Sequence, residues 1–204
     1  MRTLFSRYGR SLWTALRVMV VLTVILGVAY PLLITGIGQL ILPWQANGSL
    51  LTNQSGVTVG SALLGQSFSD ANGAPLPQYF QPRPSAAGDG YDGHASAGSN
   101  LGPENLVLIT AIQERRLQIA TFNDVLPSAV PPDAVTASGS GLDPDISPEY
   151  AAIQVHRVAT TRGLTDQQVQ ALVDQYTAPP DLGYIGQAGV NVVKLNLALD
   201  ELPR

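Results

Sequence analysis

The chain has 204 residues, 45 % of them hydrophobic and only 13 % charged, a size that fits one ordinary domain plus an appendage. It contains no cysteine, which excludes disulfide staples, thiolate metal sites and thiol catalysis. Residues 1–42 carry Arg2, Arg7, Arg10 and Arg17 with no acid, while the rest sets seven bases against all 15 acids, an imbalance that excludes nucleic-acid binding by counterion release.

From Val18 to Ser69 there is no charged residue, and Val18–Leu42 is apolar enough to serve as a membrane span. Twenty-five helical residues reach about 37 Å, more than the ~30 Å hydrocarbon core. Trp13 and Trp44 flank the run at the spacing of the two lipid interfaces, where amphipathic rings settle. The run is too long for a cleaved signal peptide, and no small-residue cleavage site directly follows it. The expected organisation is a cytoplasmic segment over 1–12, a transmembrane helix over 13–44 and an extracytoplasmic domain over 45–204, because basic segments next to a span stay in the cytoplasm. Within the span Thr23, Gly27, Pro31 and Thr35 recur every four residues with Gly38 close to the same line, a stripe that lets a neighbouring helix approach. Glycine and proline are also simply common in membrane helices, and Pro31 predicts a kink.

Beyond the span the chain reads as a single loop-rich α+β domain. Of the 15 prolines, 14 follow residue 42, and segment 70–103 is the most irregular. A stretch that long inside a compact domain is functional, pinned by partners, or disordered. Val57–Leu64 and Ala134–Ala137 are candidate strands. Pro103 opens a first helix, with Leu106, Ile109, Ile112 and Arg116 at helical spacing, ending near Ala120. Ser147 caps a second, with Pro148 in its first turn and Gly163 as its stop. Thr165 and Gln168 form a capping box for a third, whose apolar face is Val169, Leu172, Val173 and Tyr176. The tail Val190–Leu199 alternates Val193, Leu195, Leu197 and Leu199 with polar or small residues and reads as a half-buried strand.

Catalytic constellations fail on counting. The only lysine, Lys194, lies in the tail and not behind a glycine-rich loop, so a Walker-type phosphate cradle is absent. His94 and His156 lack metal-ligand spacing, and no metal site is expected. The run Thr136–Asp145 carries Ser138, Ser140, Asp143 and Asp145 around Gly139 and Gly141, one residue too short for a nucleophile elbow. It reads as a turn whose side chains bond their own backbone, with an ion-binding nest as the alternative. The acids Asp143, Asp145 and Glu149 suit either solubility or an oxygen-ligand cation site.

Several strings carry a resemblance: YPLLITGI from Tyr30, GSALLGQSF from Gly60, YFQPRPS from Tyr79, GSNLGP from Gly98, VTASGSGLDPDISP from Val135 running on to Gln154 and Arg157, and NLALD from Asn196. Nearly end to end, the chain resembles the C subunit of the bacterial Kdp potassium-transporting ATPase. The resemblance implies a complex at the inner membrane with a channel-like potassium-selective subunit, a P-type pump subunit that hydrolyses ATP and a small one-helix subunit, this chain being no enzyme on its own. It implies an accessory role in assembly and potassium uptake. It also implies, as the alternative, a catalytic chaperone that raises the pump's ATP affinity, with Gln154 handling nucleotide. The arginine bias opposes direct ATP contact, since ATP is cytoplasmic. An effect across the membrane would have to pass as a coupling between subunits.

Overall fold

The computed structural model describes residues 2–202, with side chains from Tyr8 onward. The side chains of Arg2 and Arg7, which enter the charge argument, lie outside the described residues, as do Met1, Pro203 and Arg204. The chain divides after Ser49 into two compact units.

In the first unit α1 (Arg2–Val24), a π turn (Ile25–Ala29) and α2 (Tyr30–Ile41) form one run of helical backbone. Its stretch Tyr8–Ile41 is long and apolar enough to cross a membrane, and none of it is buried. The π turn meets Pro31: proline has no N–H and its ring crowds the carbonyl four residues back. The N–H of Tyr30 accordingly reaches five residues back, to the carbonyl of Ile25. Leu42 leaves helical geometry at φ −131°, and Pro43 opens the single turn α3 (Pro43–Ala46) that carries Trp44. Near the other end the Arg17 guanidinium lies over the Trp13 ring at 4.8 Å.

The second unit begins with a hairpin, β1 (Leu50–Thr52) against β2 (Thr58–Ser61), closed by Asn53, whose Oδ1 accepts from the N–H groups of Ser55 and Val57. No regular element follows until α4 (Leu106–Asn123) and the one-turn α5 (Pro132–Val135). Then come β3 (Asp145–Ile146), α6 (Pro148–Arg162), α7 (Asp166–Gln175), β4 (Thr177–Ala178), β5 (Gly189–Asn191) and α8 (Val192–Asp200). The last three strands make an antiparallel sheet in the order β3-β5-β4, so the unit is α+β. Helix α6 supplies much of the core through Tyr150, Ala151, Val155, Val158 and Ala159, against Val169 and Val173 of α7 and Leu195 and Leu199 of α8. Phe80, from the irregular segment, is fully buried among them. A side chain of that size contributes about 1.5–3 kcal/mol by its burial.

The caps expected for α6 and α7 are present. Ser147 Oγ accepts from the N–H of Tyr150, Gly163 stops α6 at φ +69°, and Thr165 with Gln168 closes a reciprocal capping box. Asp133 reinforces the first cap by accepting from both the N–H and the hydroxyl of Ser147, at 2.8 and 2.7 Å. Three expectations need correction. Helix α4 starts at Leu106, not at Pro103, because the Asn105 side chain supplies the cap by accepting from the N–H of Val107, and it runs on to Asn123. Ala134–Ala137 is no strand: Pro132 presets a helical turn with Asp133 in it. The tail is a strand only to Asn191, whose side chain accepts from the N–H of Lys194 and starts α8. From there Val192, Leu195, Asn196 and Leu199 repeat at helical spacing and are all buried.

Candidate functional site

Pro75, Pro77, Pro82 and Pro84 prevent residues 75–85 from joining a strand ladder, since proline donates no N–H. The segment is instead held by side chains. Asn196 Oδ1 accepts from the N–H of Phe80 at 2.8 Å and its Nδ2 donates to the carbonyl of Phe80 at 2.9 Å. Gln154 does the same for the next residue, accepting from the N–H of Gln81 at 2.7 Å and donating to its carbonyl at 3.1 Å. The two carboxamides, from α8 and α6, reproduce the pairing that a neighbouring strand would give. Gln154 is 0 % exposed and both ends of its amide are engaged.

One helical turn along α6, the Arg157 guanidinium donates to Gln154 Oε1 at 2.8 Å, to Asn123 Oδ1 at 2.9 Å, and to the carbonyls of Pro77 and Tyr79, and lies over the Phe122 ring at 4.4 Å. Burial pulls its pKa down to about 10, so it stays charged at neutral pH. Among the described residues no carboxylate pairs with it; its charge is met by amide and carbonyl oxygens. Arg162 fastens the same segment further on, donating to the carbonyls of Gln78 and Leu199 and to Asp200 Oδ1 at 2.8 Å. Asp200 also accepts from the Tyr79 hydroxyl at 3.0 Å; burial, and secondarily this carboxylate, pushes that hydroxyl up. Sequence reasoning passed over Asn196, Arg157 and Arg162 as functional side chains. The available signal was polar residues at buried helical spacing, Gln154 and Arg157 amid alanines and valines and Asn196 amid leucines.

The run Thr136–Asp145 is a turn knitted by its own side chains. The N–H of Gly141 donates to Ser138 Oγ at 2.9 Å, that of Leu142 to Ser140 Oγ at 3.1 Å and that of Asp145 to Asp143 Oδ1 at 3.0 Å. Gly141, at φ +67°, has no room for a side chain: a Cβ would sit 2.6 Å from the carbonyl oxygen of Ala97. The irregular segment 70–103 docks here, with Ser85 donating to the carbonyl of Gly141 at 2.6 Å and Ser96 to that of Ser140 at 3.0 Å. Asp143 pairs with Arg83 at 2.8 Å. Partial burial, and secondarily the charge of Asp143, raises the pKa of Asp145. Asp143, Asp145 and Glu149 do not form a cluster: among the described residues no three His, Asp or Glu side chains gather where a metal ion could be held. His94 is fully exposed, and His156 lies 3.0 Å from Asp166 at the surface.

On the long apolar helix of the first unit, a four-residue repeat in regular α geometry drifts by about 40° per step. The π turn takes up one additional residue and rotates later positions back, so Thr23, Pro31, Thr35 and Gly38 come closer to one line than an unbroken helix would place them. A Cβ on Gly27 would have only its own Thr23 within 4 Å, at 3.8 Å, which leaves this face open to a neighbouring helix.

A family model described as K+-transporting ATPase, c chain, matches residues 12–201. The chain is 49 % identical over 194 residues to a Mycobacterium tuberculosis (strain ATCC 25618 / H37Rv) protein named potassium-transporting ATPase KdpC subunit, covering 95 % of this chain and 99 % of that one. Proteins of the same name from Kineococcus radiotolerans and Caulobacter vibrioides are 50 % identical over 190 residues and 52 % identical over 178 residues. The first alignment covers 93 % of each chain, and the second 87 % of this chain and 86 % of the relative.

Proposed function

From the premise that the chain belongs to the KdpC family and is a subunit of a potassium-transporting ATPase, we propose that it is a non-catalytic accessory subunit that acts in potassium uptake by stabilising the assembly of a channel-like subunit and an ATP-hydrolysing pump subunit. Its span packs against partner helices, including a small one-helix subunit, through Thr23, Gly27, Pro31, Thr35 and Gly38, and its domain lies outside the cytoplasm. The observation that carries this reading is apolar surface left uncovered in both units. In α4, Leu106 and Val107 are 77 % and 68 % exposed, Leu117 also faces outward, and Leu126 follows just beyond the helix. On this reading these uncovered side chains are what a partner subunit covers.

The second reading, a catalytic chaperone contacting ATP through Gln154, follows from family resemblance and requires the domain in the cytoplasm. What weighs against it is the commitment of Gln154 to Gln81: a nucleotide would have to displace a backbone pairing at a fully buried position. The turn at Ser138, Ser140, Asp143 and Asp145 serves, on the proposed reading, to seat the irregular segment 70–103 through Ser85 and Ser96.

His94→Cys separates the two readings. The site is fully exposed, and the chain has no other cysteine. A membrane-impermeant maleimide applied to intact spheroplasts is expected to label it at once. Protection until lysis would place the domain in the cytoplasm and overturn the proposal.

A further inference from the structure

A cleft of about 360 Å³ opens between the proline-rich segment and α4, within the size range of small-molecule sites. Pro82, Pro84, Ile119 and Phe122 line it, together with Tyr91 and Tyr150. Two guanidiniums line it as well. That of Arg83 is held by Asp143 at 2.8 Å and reaches the carbonyl of Thr136, yet its Nε–H is buried with no acceptor. That of Arg115, on α4, donates from Nη1 to the carbonyl of Val135 at 3.1 Å. This bond uses one of the five donors an arginine carries.

A guanidinium fork matches the two oxygens of a carboxylate, and the prolines and aromatic rings offer cover to an apolar stem behind it. Burial keeps the Tyr91 and Tyr150 hydroxyls in their neutral, proton-bearing form, that of Tyr91 already donating to the carbonyl of Arg83. Asp89 also lines the cleft and Asp143 pairs with Arg83, so the two guanidiniums are already balanced by two carboxylates, and a singly charged group suits the cleft better than a phosphate. We propose that this cleft binds a monocarboxylate on an apolar or aromatic stem, bridging Arg83 and Arg115. The carboxylate belongs to a free organic acid or to an acidic side chain of another polypeptide, which share this chemistry. The site does not depend on the assembly role proposed above.

The test follows the arginine Nε–H resonances of the isotope-labelled full chain in detergent micelles, assigned with Arg115→Gln and Arg83→Lys. The probes are 3-phenylpropionate, its neutral amide, and the capped dipeptide acetyl-Phe-Glu-amide. Addition of 3-phenylpropionate or the dipeptide should shift Arg83 and Arg115 saturably in the millimolar range, leaving Arg157 and Arg162 in place. A response to the acid alone identifies a free small molecule, and a response to the dipeptide alone a polypeptide. Arg115→Gln, at a half-buried position, should weaken binding about fivefold or more, the scale of losing one charge-assisted contact. The proposal falls if neither probe shifts the two resonances, if the neutral amide shifts them equally, or if Arg115→Gln leaves the affinity unchanged.

Discussion

Helices α6 and α4 are similar in length and both are capped by a side chain accepting from the first turn, Ser147 for one and Asn105 for the other. Their surroundings differ. Helix α6 buries seven of its 15 residues, among them Gln154 and Arg157, whose side chains both find partners inside the chain. Helix α4 buries only Ala120 and Asn123 of its 18, and leaves Leu106, Val107, Ile109 and Leu117 facing outward. Local propensity and capping make both helices; burial alone tells them apart. Helix α6 organises its own domain, whereas α4 leaves large apolar side chains exposed, interspersed with Gln113, Glu114 and Arg116.

The largest effect should come from breaking the α6 side of this contrast. Asn196→Ala leaves the N–H and carbonyl of Phe80 unpaired at a buried position, and Gln154→Ala leaves those of Gln81 unpaired at a half-buried one. Each buried group left without a partner costs about 1–3 kcal/mol, so either variant should lose roughly 2–5 kcal/mol of domain stability. Thermal unfolding of the full chain in detergent, followed by tyrosine circular dichroism without nucleotide, reads this directly. A Gln154→Ala chain that melts like the parent would remove the structural role and return the residue to the nucleotide reading.

How much of this was legible beforehand follows the same division. Local signals with a fixed stereochemistry were readable: Ser147, Gly163, Thr165 and Gln168 mark the ends of α6 and α7 because each satisfies particular backbone groups next to it in sequence. The tail was misread because alternation over Val193–Leu199 fits period two, while Asn196 looked like its solvent-facing member. Its partner, Phe80, is 116 residues away, and no local pattern reports that. The side-chain hold on Pro77–Gln81 is illegible for the same reason, since it joins that segment to α4, α6 and α8 by contacts that exist only after folding. The turn Thr136–Asp145 was readable as a turn, but not that Ser85 and Ser96 would dock on it.

The α4 side of the contrast predicts a separation of effects. Leu106→Glu combined with Leu117→Glu places charge on an already solvated surface, so the isolated chain should keep its stability within about 0.5 kcal/mol. If α4 is where a partner docks, the same pair of changes should reduce recovery of the other ATPase subunits in co-purification, because an interface core tolerates unpaired charge poorly. Full recovery of the complex would show that α4 lies outside the contact and that the apolar exposure needs another account.

The smallest effect tests the acidic turn. The pKa of Asp145 is raised from its ordinary 3.8 by partial burial and then by the neighbouring Asp143, with Asn191 and Lys194 acting in the opposite direction. A raised carboxyl binds its proton more tightly in the folded chain than in the unfolded one. Its contribution to stability is therefore fully present below pH 3.8 and is lost as pH rises through the folded pKa, leaving a penalty at neutral pH. Asp145→Asn removes the charge and should raise the unfolding midpoint slightly at pH 7, with the gain shrinking as pH falls toward 3.8. A cation held by this turn would reverse the sign: the wild-type carboxylate would then be the stabilising form, and Asp145→Asn would lower the midpoint at neutral pH wherever the ion is present.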